Sequence, residues 1–372
     1  MRHLYIHVPF CRRRCSYCDF AIAVRRDPPH TRFVAAVRAE LEHRLAVASI
    51  TVSAPLHTLY IGGGTPTQLA PEAIAALIAL VPCDVATEVT IEANPDDVTE
   101  TAATAWRKAG VNRVSLGVQS FHDTTLAWMH RTHGAADAVR AFAILRDAGF
   151  GSISLDLIFG VPDGLGRNLG DDLDRTLALE PDHVSAYGLT VEPSTPLARW
   201  VARDGVTMAT DARFASEFLA VDSALAGAGF EHYEISNYAM PNARARHNSA
   251  YWVRAPYGGL GPSAHGFDGR TRRWNQRHWT AYERAVTDGA DPMEGSEIPD
   301  RSQQALERLY LGLRTSDGVD PAVVGPFDEG EVAAAIDAGW LTRSGSRLRC
   351  TVRGWLVLDG LAPRLTTRGQ GG

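Results

Sequence analysis

Along the first 230 residues, short apolar runs alternate with stretches in which apolar positions recur every three or four residues. Segments of period two interleaved with segments of period 3.6 predict repeated strand-helix units and a parallel sheet. The predicted strands are Leu4–Val8, Thr58–Ile61, Val89–Glu92, Arg113–Gly117, Ile153–Ile158 and His183–Gly188. Helices are predicted near Thr31–Ala48, Pro71–Leu80, Thr99–Ala109, Ala135–Ala148, Asn168–Ala178 and Ala212–Ala228, with Gly110, Gly149 and Gly229 standing where a helix should stop. Six units are too few to close an eight-stranded barrel, so the expected fold class is α/β, an incomplete (β/α)6 barrel open on one side.

After about residue 230 the alternation fades into a glycine-, proline- and aromatic-rich stretch, and 231–300 is expected to bridge two domains. A helical pattern returns in Gln303, Ala305, Leu306, Leu309, Tyr310 and Leu313, then again over Glu331–Ala338. With a hairpin-like pair at Trp340–Thr342 and Arg347–Thr351, residues 301–365 resemble a small, mostly helical winged-helix-like domain. Residues 366–372 read as a disordered tail.

Composition narrows the function. The 372 residues suit one large and one small domain. No apolar run approaches the roughly 18 residues that cross a bilayer, and Met1-Arg2-His3-Leu4 enters a strand directly, so a cytoplasmic location is expected. Five cysteines, an odd number with three clustered, argue for a reducing compartment and metal-binding thiolates rather than disulfides; Cys83 and Cys350 read as core thiols. A net charge of -6 gives no support to nucleic-acid binding. Over 301–372, nine arginines face eight carboxylates, which leaves a winged-helix shape without the electrostatic footprint for a duplex and favours a packing or lid role. Arg12-Arg13-Arg14 and Arg25-Arg26 crowd the cysteines and could steer an acidic electron donor.

The densest chemistry lies in Cys11-Arg12-Arg13-Arg14-Cys15-Ser16-Tyr17-Cys18. Three thiolates at this spacing suit one face of a four-iron cluster, which needs four ligands, so one iron stays open for reaction. Zinc is the alternative, with a histidine such as His7 closing a tetrahedral site. Gly62-Gly63-Gly64-Thr65-Pro66-Thr67 follows an apolar strand and lacks the lysine and spacing of a phosphate loop. Its glycines permit a tight turn and a close backbone approach to a charged ligand.

The run Leu4-Tyr5-Ile6-His7-Val8-Pro9-Phe10-Cys11, continued through Cys18-Asp19-Phe20, resembles the radical S-adenosylmethionine (SAM) superfamily, and within it the oxygen-independent coproporphyrinogen III oxidase-like family with its haem-chaperone branch. The resemblance implies a [4Fe-4S] cluster on Cys11, Cys15 and Cys18, and SAM bound to the open iron through its amino and carboxylate groups. It further implies SAM contacts at Tyr5, Tyr17, Gly63, Gly64, Thr65, Glu92, Gln119, Arg131, Asp156 and His265. These residue types suit such a ligand, because an aromatic ring can lie along adenine, a carboxylate can accept from ribose hydroxyls or an amine, and a guanidinium can pair with a carboxylate. Arg131, in Met-His-Arg-Thr-His, has no local geometry legible from the sequence.

Two departures separate the chain from the oxidases of that family: Phe20 stands where they carry a further cysteine, and Cys11 lies only ten residues from the start. His247-Asn248-Ser249-Ala250-Tyr251-Trp252 matches the His-Asn-x-x-Tyr-Trp motif that the chaperone branch associates with haem. His247, Tyr251 and Trp252 are therefore the expected haem contacts, with His232, His265 and His278 as competing axial ligands. The resemblance implies a chaperone that passes haem to acceptor proteins, some of them at the membrane, with a flavodoxin or ferredoxin as electron donor. Two alternatives stay open: radical decarboxylation of coproporphyrinogen III, and radical SAM chemistry on another substrate.

Overall fold

Each predicted strand forms and pairs in parallel with the next one in the chain. They are β1 (His3–Val8), β2 (Thr58–Gly63), β3 (Glu88–Ala93), β4 (Arg113–Gln119), β5 (Ile153–Phe159) and β6 (His183–Gly188). The chain is described by a computed structural model covering residues 1–366 except 48 and 53. The crossover helices are α1 (His30–Ala46), α2 (Pro71–Ile78), α3 (Glu100–Ala109), α4 (Ala135–Asp147) and α5 (Leu169–Ala178), and α6 (Asp211–Gly227) follows β6. Ala48, the expected end of the first helix, lies outside the described residues. Gly110, Gly149 and Gly229 have φ of 106°, 81° and 91°, the left-handed stop that glycine permits after a helix. Leu4, Ile6 and Val8 of β1 and Leu59 and Ile61 of β2 are fully buried, facing the helices, whereas Tyr5, Tyr60, Glu92 and Asp156 point inward.

The stretch 231–300, which shows little periodicity, adds strands to both edges of this sheet. On the β6 side lie β7 (Glu231–Glu234) and β8 (Asn237–Ala239). On the β1 side lie β9 (Tyr257–Leu260), β10 (His265–Phe267), β11 (Arg272–Asn275) and β12 (Met293–Glu297). The order is β12-β11-β10-β9-β1-β2-β3-β4-β5-β6-β8-β7, an open barrel whose flaps are antiparallel within themselves while β9 joins β1 in parallel. Strands of three to five residues are too short for alternation to register in a sequence. Between the flaps α7 (Arg246–Trp252) crosses the amino ends of the strands. Both oxygens of Glu88, first in β3, accept its leading N–H groups, at 3.0 Å from Arg246 and 2.9 Å from His247.

The C-terminal segment contains helices Arg301–Leu313, Pro321–Val324 and Glu329–Asp337, a hairpin of Leu341–Ser344 with Arg347–Cys350, and helices Val352–Trp355 and Leu358–Leu365. It packs on the β7 edge. Trp355 sets its ring against His232 at 4.3 Å, and its Nε1 donates to the Leu313 carbonyl. One apolar core runs from the barrel into this segment. Of the expected tail, Thr366 forms a bridge to Phe327 and residues 367–372 lie outside the described residues. Among the described residues, no helix is long and apolar enough to cross a membrane.

Candidate functional site

A cleft of about 390 Å3 opens at the carboxyl ends of the barrel strands. Cys11 ends a two-residue strand, Phe10–Cys11, that pairs with Ala23–Val24, so the cysteine loop leaves and returns over the barrel mouth. Its middle is tied down by the Ser16 N–H to the Met129 carbonyl and the Leu197 N–H to Ser16. Cys11, Cys15 and Cys18 all line the cleft as free thiols. Thr65 Oγ1 donates to Cys11 Sγ (3.5 Å) and Arg131 Nη1 to Cys15 Sγ (3.6 Å). Burial pushes the Cys11 thiol up to about 11 and the Cys18 thiol up to about 12, so thiolates here need positive charge beside them.

The donor set fits an iron-sulfur cluster. Among the described residues no three His, Cys, Asp or Glu side chains converge as the ligands of a single ion. A cubane makes a different demand, since each thiolate binds its own iron. His7, the histidine that zinc would recruit, is engaged elsewhere: its Nε2 donates to the Ala21 carbonyl and its Nδ1 accepts from Tyr5, each at 3.0 Å.

Facing the cysteines, the glycine run forms the second wall. The Gly63 N–H donates to Glu92 Oε2 (2.9 Å), and Tyr60 donates to Glu92 Oε1 (2.8 Å). A Cβ on Gly64 would meet the Phe10 carbonyl at 2.7 Å and Cys11 Sγ at 3.0 Å, so only glycine allows the loops to approach this closely. Burial pushes the Glu92 carboxyl up to about 7 and the Asp156 carboxyl up to about 6, against the pull of their hydrogen bonds. Asp156 accepts from Ser115 through both oxygens at 3.0 Å. Gln119 has φ 67° at a bulge between β4 and β5, which turns its side chain into the cleft. Arg131 reaches in from the segment after β4, donating to Asn94 Oδ1 (2.6 Å) and the Gly117 carbonyl (2.8 Å). Its Nε is buried with no partner among the described residues.

Cys11, Cys15, Cys18, Tyr17, Gly63, Gly64, Thr65, Glu92, Gln119, Arg131 and Asp156 thus share one cleft. Two expected contacts lie outside its lining. Tyr5 points into the barrel beneath it, and His265 is exposed on β10, stacked on Trp274 at 5.9 Å. Asn94, Ser115 and Tyr60 were missed by sequence reasoning; Asn94 follows Glu92 by two residues at a strand's carboxyl end, and that position was its available signal.

The His-Asn-x-x-Tyr-Trp segment lies at the other end of the barrel. His247 is 2% exposed, and its Nδ1 is 2.6 Å from Thr58 Oγ1 while its Nε2 is 2.8 Å from the Tyr251 hydroxyl. Burial lowers its imidazole to about 3, so it is neutral, with both nitrogens engaged inside the protein. Thr58 begins β2 and Gly63 ends it, a separation of about 16 Å at 3.3 Å per residue. Trp252 lines a separate cavity of about 300 Å3 against the C-terminal segment, with Arg244, Arg254, Arg308 and Arg347. Its Nε1 is buried without a partner among the described residues. Of the competing histidines, His232 is bonded to Asp222 and stacked on Tyr238, whereas His278 is exposed.

Comparison with known proteins agrees with this architecture. Residues 5–168 match the Radical SAM superfamily model, and residues 300–357 match the HemN C-terminal domain. The solved structure of the radical SAM enzyme coproporphyrinogen III oxidase (HemN) from Escherichia coli superposes with a TM-score of 0.82, covering 98% of this chain and 90% of that one at 20% identity. The fold and its cysteine loop therefore define a radical SAM protein with a HemN-type C-terminal domain. Heme chaperone HemW from Mycobacterium tuberculosis is 36% identical over 97% of this chain and 94% of its own length, and Heme chaperone HemW from Escherichia coli is 34% identical over 96% of each. The chain belongs to the HemW family.

Proposed function

We propose that this protein is a cytoplasmic haem chaperone that holds a [4Fe-4S] cluster and SAM at one end of its barrel and carries haem at the other, for transfer to acceptor proteins, some peripheral to the membrane. One observation carries the reading: the motif associated with haem plugs the amino end of the strands, about 16 Å along β2 from the cysteine cleft. Cargo held there is not presented to radical chemistry at the cleft.

In this reading Cys11, Cys15 and Cys18 hold the cluster, Arg131 and the glycine run meet the carboxylate and amine of SAM, and Glu92 and Asp156 accept from its hydroxyls. When bound, the cluster supplies an electron to the sulfonium. A flavodoxin or ferredoxin is the donor in this scheme, and Arg12 and Arg13 at the cleft offer it positive charge. Haem meets the motif at Trp252, where Arg308 and Arg347, neither paired with a carboxylate among the described residues, face its propionates. His247 reaches iron only if Tyr251 or Thr58 releases it. In this scheme residues 301–365 close the cargo cavity.

The likeness to HemN favours no oxidase activity here, because one fold hosts many reactions. Haem titration followed by absorbance, run beside an anaerobic porphyrinogen decarboxylation assay on the reconstituted protein, separates the readings. Saturable haem binding without decarboxylation is expected; robust decarboxylation overturns the chaperone reading.

A further inference from the structure

The two ends of the barrel are joined by a column of aromatic rings. His247 packs on Tyr60 with ring centroids 5.1 Å apart and 31° between planes. Tyr5 completes the layer, 6.0 Å from Tyr60 and 6.5 Å from His247. Above it, the Tyr60 hydroxyl donates to Glu92, and Glu92 takes the Gly63 N–H. The column has no slack: a Cβ on Gly62 would meet Tyr60 Cε1 at 2.7 Å and Glu92 Oε1 at 2.8 Å, and one on Gly63 would meet the His7 ring at 2.6 Å.

We propose that His247 is a positioning residue for the SAM cleft: held from below by Thr58 and Tyr251, its ring fixes Tyr60, which orients the Glu92 carboxylate and through it the glycine run. The inference rests on reading the cleft as the SAM site. The geometry favours this role over iron ligation because the ring is closed off from both ends of the barrel, both its nitrogens are used, and the surface it presents upward is a packing surface. Glu92 otherwise has two buried oxygens to satisfy and few donors: Tyr60 supplies one of its two hydrogen bonds, and losing it leaves an acceptor facing the cleft unpaired.

The test is SAM affinity, read by equilibrium dialysis of labelled SAM against anaerobically reconstituted full-length protein, with iron, sulfide and melting temperature measured alongside. Tyr60→Phe and His247→Ala should each weaken SAM binding about tenfold, the scale of one lost hydrogen bond to a charged group. The double variant should be no weaker than the poorer single, since both act through one column. His247→Phe, which keeps a ring but cannot bind iron, should recover most of the affinity; an iron ligand or a general stability role would not be rescued this way. If His247→Ala fails to hold a cluster, the milder Tyr60→Phe decides. Wild-type affinity in Tyr60→Phe, or in a cluster-replete His247→Ala, overturns the inference alone. A wild-type protein that holds its cluster yet ignores SAM overturns the reading of the cleft as well.

Discussion

The two ends of this barrel are built from different materials. The carboxyl end is an open cleft with unfinished chemistry: three free thiols, a guanidinium nitrogen without a partner, and two carboxyls lifted toward neutrality by burial. The inner face of the amino end is finished. Glu88 satisfies the first N–H groups of α7, and Thr58 and Tyr251 satisfy both nitrogens of His247. Unmet bonding capacity marks the cleft as an end prepared for ligands, whereas at the plug the inner face of α7 is satisfied and its outer edge, at Trp252, keeps an unpaired donor among the described residues, where the proposed cargo would meet it.

The sharpest way to break the comparison is at the thiols. Replacing Cys11, Cys15 or Cys18 with alanine removes one of only three protein ligands, and iron and sulfide should fall from about four per chain to near zero. Haem absorbance should survive, because α7 shares no side chain with the cysteine loop. Loss of both signals together would mean that the two ends are not separate sites. Trp252→Ala tests the opposite end and should weaken haem binding about thirtyfold, as removal of an aromatic anchor does at other interfaces, with iron content unchanged. A haem affinity equal to wild type would place the cargo elsewhere.

A smaller effect is expected where the plug is fastened. Glu88→Ala removes a carboxylate that accepts two N–H groups, and chemical denaturation should show a loss of about 2 kcal/mol. SAM affinity should fall with it only as far as His247 shifts, so Glu88→Ala measures how rigidly the plug supports the cleft. A variant as stable as wild type would mean that α7 is held by packing alone.

Much of this division was legible in the residues. All six barrel strands and their helices follow from period-two and period-3.6 patterns, because each element buries one continuous apolar face. The cleft residues were implied by the family resemblance, and most of them lie where barrel sites gather, at strand carboxyl ends. What escaped were effects of tertiary closure. The flap strands are too short for a pattern, and β9 returns to pair with β1 across more than 240 residues. Likewise, the expectation that His247, Tyr251 and Trp252 form one haem face could not anticipate that the helix turns His247 inward and leaves only Trp252 against a cavity. Nothing local in His-Asn-x-x-Tyr-Trp encodes which face meets the barrel.

The smallest effect is a pH dependence that belongs to the cleft end. Glu92 titrates near 7 in the folded protein against about 4.3 in an unfolded chain, so between those values the folded state binds the proton more tightly. Its contribution therefore favours folding at pH 4 to 5 and is lost as pH rises through about 7, where the buried charge must form. SAM binding should run the other way. The carboxylate is the better acceptor for ribose hydroxyls, so affinity should drop about tenfold on going one pH unit below that midpoint, if the charged form carries the binding. Glu92→Gln keeps the acceptor oxygen and removes the step near 7; its SAM affinity should be lower than wild type at pH 8 and flat from 7 to 8, above the range in which Asp156 titrates. His247, held neutral by burial down to about 3, adds no step in that range, so cargo binding through the Trp252 end should vary far less. A step that persists in Glu92→Gln would remove Glu92 as the titrating contact and point to Asp156, whose carboxyl titrates near 6, and a flat profile in wild type would remove both.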